Sequence, residues 1–100
     1  MKGIIWGETT VRANSKLQQI MDEYENYKIA NLVRWEKLNN KTTIQYDNGD
    51  TWIALRADEN RRGQRCNVSY IDTRIDPNII QQIIIPCTTA APFRAIQYFN

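Results

Sequence analysis

One hundred residues make one small domain, and a formal net charge of +2 is too weak to argue for a duplex-DNA surface. A composition of 42% apolar and 24% charged residues is ordinary for a globular chain, and no apolar run reaches membrane-spanning length. Histidine is absent, which removes the usual general base at neutral pH, the commonest transition-metal ligand and any Ser-His or Cys-His nucleophile within one chain.

Lys2 to Trp6 is a short apolar run ending at Gly7 and predicts a buried first strand. Thr9 or Thr10 then offers an N-cap. Ala13, Leu17, Ile20, Met21 and Tyr24 recur at three- and four-residue steps, which predicts a helix from about Val11 to Glu25 with Arg12, Lys16, Gln19, Asp22 and Glu23 on its polar face. Ala30 to Trp35 is the next strand. Asn39-Asn40-Lys41 is a turn, Thr42 to Tyr46 alternates with Ile44 and Tyr46 on one face, and Asn48-Gly49 is a strong hairpin signal before a returning strand, Thr51 to Leu55. Ala57 to Arg65 reads as a polar loop containing Arg61, Arg62, Gly63 and Arg65. Asn67 to Ile71 is a strand ending in Asp72. Asp76 with Pro77 announces a short helix whose buried face is Ile79, Ile80, Ile83 and Ile84 and which Pro86 ends. Phe93 to Phe99 is the last strand. The order predicts one α/β (α+β) domain over residues 1–100, a single mixed, largely antiparallel sheet with two helices packed on it. Three Trp and five Tyr in so short a chain favour sheet and ring-mediated binding or assembly.

Several positions carry candidate chemistry. Gly7-Glu8-Thr9-Thr10 lies between a strand and a helix N-terminus, where free N–H groups and the helix dipole attract anions, and Arg12 adds a charge; the same residues also read as a capped helix with a surface Arg. Arg56 leaves a strand end, and Arg61, Arg62 and Arg65 form a phosphate clamp, a nucleic-acid contact or a solvated loop. Phe93-Arg94 pairs a ring with a guanidinium, as for gripping a base and a phosphate, or else belongs to an edge strand used for assembly. Asp72 reads both as a metal-side carboxylate and as a turn or N-cap residue; Thr73 and Arg74 follow it, so no base stands beside it. Cys66 and Cys87 lack metal-site spacing. With no signal sequence evident, they read as reduced thiols.

Asn48-Gly49-Asp50, Arg62-Gly63 and the apolar strand ending Tyr70-Ile71-Asp72 resemble the ATPase core of phage terminase large subunits, across roughly residues 2–86. The resemblance makes Tyr70-Ile71-Asp72 the counterpart of a Walker B strand. The chain departs from that family in lacking a G-x-x-x-x-G-K-[ST] loop and a glutamate after Asp72, so ATP hydrolysis does not carry over. A small nucleotide-type sheet without a catalytic set is also similar to the anti-Thoeris sponge proteins of phages, which sequester cyclic ADP-ribose-type signals. That likeness implies a non-enzymatic protein of the host cytoplasm, without cofactor or metal, that binds a phosphate-bearing nucleotide through Thr9, Thr10, Arg12, Arg56, Phe93 and Arg94. Assembly into a homo-oligomer through the aromatic last strand is expected. The alternatives are a DNA-packaging accessory and a structural interaction module that binds no small ligand.

Overall fold

The computed structural model describes residues 1–58, 61, 63–88 and 96–100. Among these residues six strands form one sheet: β1 (Lys2–Gly7), β2 (Leu32–Leu38), β3 (Lys41–Tyr46), β4 (Thr51–Arg56), β5 (Val68–Asp72) and β6 (Ile96–Phe99), in the spatial order β2-β3-β4-β1-β5-β6. The expected mixed sheet with helices packed on it is present. The β2-β3-β4 meander is antiparallel, while β1 pairs in parallel with β4 and β5, and β5 in parallel with β6. Helix α1 (Thr10–Asn26) covers one face. The other face is covered by a helical run over residues 77–87, here α2, which is α-helical at Pro77–Ile79, π-helical at Ile80–Ile84 and α-helical again at Ile85–Cys87.

The period-two pattern of the central strands divides their side chains between two cores. Ile4, Trp6, Ile53, Leu55 and Ile71 pack beneath Ile83 and Ile84 of α2. Ile5, Ile44, Tyr46, Trp52 and Ala54 pack beneath Ala13, Leu17, Ile20 and Tyr24 of α1, the face that the helical spacing predicts. Two glycines set how closely these layers approach. A Cβ on Gly3 would run into the Trp52 ring, and one on Gly7 would lie 2.5 Å from the Thr9 carbonyl oxygen and 2.6 Å from the Ala13 nitrogen, where α1 settles onto the end of β1.

The turns follow from their residues. Asn39 and Asn40 both have positive φ (52° and 63°), as a two-residue I′ hairpin requires, and Gly49 takes φ 93° in the β3-β4 turn. Pro86 does not end α2 as its ring would suggest. It has no N–H to donate backwards, and the widened π turn just before it, where Ile85 donates to Ile80, lets the run continue to Cys87. Among the described residues the last strand runs Ile96–Phe99; the start of the predicted strand, Phe93 and Arg94 included, lies outside the described residues.

Candidate functional site

At the carboxyl ends of β1 and β5 the helices leave to opposite faces of the sheet, α1 after β1 and α2 after β5. In open α/β sheets this crevice is where ligands bind. The sequence places Gly7, Thr9, Thr10 and Arg12 here, and the structure agrees on their position. Thr9 is the N-cap of α1, its hydroxyl accepting from the Arg12 amide at 3.2 Å, and Thr10 is the first helical residue.

What occupies the anion position is the protein's own carboxylate. Asp72, fully buried, accepts from Arg12 Nε at 2.6 Å, from Arg12 Nη2 at 2.9 Å, from the Glu8 amide at 2.9 Å and from the Arg74 amide at 3.1 Å. Burial alone would push its carboxyl upward. The Arg12 fork and the Glu8 and Arg74 amides outweigh burial and hold it down at about 2. The same contact raises Arg12 above the ordinary guanidinium value, the Asp72 hydrogen bond being the main cause. A phosphate arriving at this helix N-terminus meets a guanidinium and amides already engaged and a fixed negative charge. Of the two sequence readings of Asp72, turn residue and metal-side carboxylate, neither includes this partner; the signal was an Arg in the first turn of one helix and an acid closing a buried strand.

Arg56 ends β4 with an exposed side chain 3.4 Å from Asp58, and its carbonyl accepts from Arg61 Nε at 3.4 Å. It lies at the same edge of the sheet as Arg12, two strands from Asp72, because β1 separates β4 from β5. The structure therefore brings Thr9, Thr10 and Arg12 together at the start of α1, with Arg56 opposite Gly7 in the β1-β4 register and its guanidinium turned to Asp58.

A second cleft lies elsewhere. A volume of about 690 Å³ opens between the C-terminal half of α1 and the start of β2. Asp22, Glu25 and Asp47 line it against a single Lys28, a charge balance that repels phosphate. Beside it β2 forms one edge of the sheet. Leu32, Val33, Trp35 and Leu38 are exposed on it, Trp35 at 57%, and the preceding Tyr27 and Ile29 are exposed as well. The helix stops short of this strand, so a groove between α1 and β2 is lined by Gln18, Met21, Trp35 and Lys37. The sequence reading placed an aromatic edge on the last strand. Tyr98 of β6 is exposed at the opposite edge, and among the described residues most of the bare apolar side chains on the two edge strands are on β2. The signal was present in LVRWEKL, where apolar and charged residues alternate on neither parity, the pattern of a strand with no buried face.

No family model, curated protein or solved structure matches the chain. Among the described residues no helix is long and apolar enough to cross a membrane.

Proposed function

We propose that the protein is a non-catalytic interaction module that works by strand addition at the free edge of β2. One observation carries this reading: an edge strand with exposed apolar side chains and, among the described residues, no strand neighbour on its outer side, in a chain whose ligand-type crevice is filled by its own Asp72–Arg12 pair. Bare, apolar edge strands template pairing with another chain, and strand addition is a recurrent mode of recognition. Photo-cross-linking from a benzoylphenylalanine in place of Trp35, in cells that express the full chain, is the test. A discrete adduct from position 35, with none from Gln19 on the exposed side of α1, supports the module. No adduct from position 35 overturns it.

The phosphate-ligand reading is kept as a second one, and with it the likeness to sponge proteins. Arg56 and Arg61 favour it: at the carboxyl end of β4 the Arg61 guanidinium reaches the Arg56 carbonyl, and the Arg56 side chain, 58% exposed, holds only a 3.4 Å pair with Asp58. In that reading these two residues replace Arg12 as the phosphate grip, and the bound nucleotide is released unchanged. Calorimetry with ADP-ribose, its cyclic isomers and cyclic dinucleotides tests it, and an affinity weaker than about 10 μM for all of them removes it.

A further inference from the structure

The partner that fits the β2 edge best is a second copy of the same edge, an inference that rests on the edge-module reading. The first support is the direction of the peptide groups. Tyr46 donates its N–H to Asp50 across the β3-β4 turn at 2.9 Å. Peptide groups alternate along a strand, so those of Gln45 and Thr43 point the other way, to their β2 partners Arg34 and Glu36. The N–H and C=O of Trp35 and Lys37 are therefore the ones presented outward, unpaired within the sheet.

The second support is the charge pattern. Register pairs Trp35 with Ile44 and Lys37 with Thr42, on the face that carries α1, while Arg34 and Glu36 lie on the opposite face beside Gln45 and Thr43. Arg34 and Glu36 already form an ion pair with each other, at side-chain exposures of 60% and 44%. Place two copies antiparallel about a two-fold axis through Trp35. Arg34 of one copy then stands opposite Glu36 of the other, and the reverse pair forms by symmetry. The two Trp35 rings meet at the centre on the α1 face, and their outward N–H and C=O groups exchange hydrogen bonds. The neighbouring registers fail on charge, and those that would set Trp35 or Lys37 opposite an inward-bonded residue such as Glu36 fail on peptide direction. Parallel in-register pairing stacks Arg34 on Arg34 and Glu36 on Glu36. A two-fold through Arg34 or Glu36 puts like charges face to face, and one between Trp35 and Glu36 sets Arg34 against Lys37.

We propose that β2 self-pairs in this one register, joining two six-stranded sheets into a continuous twelve-stranded one. The irregularity between Leu32 and Arg34 bounds the paired stretch, so the contact rests on Arg34 to Leu38 and on the apolar side chains around it. An interface of this length belongs to the small, reversible class, with a dissociation constant on the order of micromolar.

The experiment is sedimentation equilibrium of the full chain from about 5 to 500 μM, a range that brackets association of that strength, for wild type, Arg34→Glu, Glu36→Arg and the double exchange. Arg34 is exposed and Glu36 half-buried, neither belongs to a core cluster, and thermal unfolding monitored by circular dichroism confirms that each variant keeps its fold. Wild type is expected to dimerise. Each single variant, which sets like charges opposite one another twice, weakens the dimer about tenfold or more, and the double exchange restores it. A dimer that ignores all three variants lies at another surface and overturns the register. A wild-type monomer throughout the range overturns self-pairing. In that event a position-35 cross-link at some other mass keeps the module with a different partner, and no cross-link removes both.

Discussion

Replacing Asp72 with Asn tests the closure of the crevice most sharply. The side chain keeps its shape but loses its charge, and its NH2 arm turns a donor towards a site already filled by donors. Four hydrogen bonds converge on this carboxylate, two from Arg12 and one each from the Glu8 and Arg74 amides. Breaking a buried pair costs about 3–5 kcal/mol; the lower end applies because the freed Arg12, 22% exposed, can turn to water. For a domain of this size about 3 kcal/mol lowers the melting temperature by roughly 12–24 °C. The pH dependence gives an independent check. The Asp72 carboxyl is depressed in the folded state, to about 2 from 3.8, so its contribution is complete above the unfolded value and is lost as the pH falls through the folded one. The gap between wild type and Asp72→Asn is therefore constant from pH 7 to about 5 and narrows between about pH 4 and 2, by on the order of 2 kcal/mol after allowance for screening at the open side of Arg12. Thermal unfolding of both proteins across that range is the assay. A melting temperature within about 3 °C of wild type at pH 7, or a gap that stays constant down to pH 2, refutes the reasoning.

Other outcomes follow from the same structure. Gly7→Ala drives a methyl into backbone atoms of Thr9 and Ala13, and a loss of about 1–3 kcal/mol by urea unfolding is expected, whereas Gly49→Ala meets no neighbour and loses about 1 kcal/mol through its positive φ alone. Tyr24, raised by burial to about 12, stacks on Tyr46, accepts from Trp52 Nε1 at 3.0 Å and donates to Asp50 at 2.7 Å. A phenol raised in the folded state stabilises fully below its unfolded value of 10, and that contribution disappears as the pH rises through about 12, which ultraviolet titration alongside unfolding will show. Tyr24→Phe strands the Trp52 N–H and should cost about 1–3 kcal/mol in the same unfolding assay. Calorimetry with the ADP-ribose panel is expected to show no binding tighter than about 10 μM, and binding abolished by Arg56→Ala would favour the phosphate reading instead.

Strands and helices were legible because their signals are local. The three- and four-residue steps of α1, the alternation of β3 and the Asn-Gly turn each fix an element from its own residues. Pairing order was not legible, since nothing near Lys2 reveals that β1 lies between β4 and β5 with both parallel to it. That long-range fact decides the chemistry of the candidate site. It brings Asp72 beneath Arg12, sixty residues away, and turns an apparent anion site into a satisfied ion pair. It also leaves β2, which looks in sequence like any strand of a meander, without a neighbour on one side or a helix above it. Pro86 misled for a local reason, because a π turn relieves the clash that its ring makes in an ordinary helix.

The central claim is that the β2 edge takes a strand, and residue-resolved amide hydrogen exchange across a series of protein concentrations tests it most directly. The Trp35 and Lys37 amides, turned outward from β3, should exchange more slowly as concentration rises, while the Glu8 and Arg74 amides, already bonded to Asp72, keep a constant rate. Exchange at Trp35 and Lys37 that is fast and indifferent to concentration, or protection that grows at β6 instead, would contradict the account.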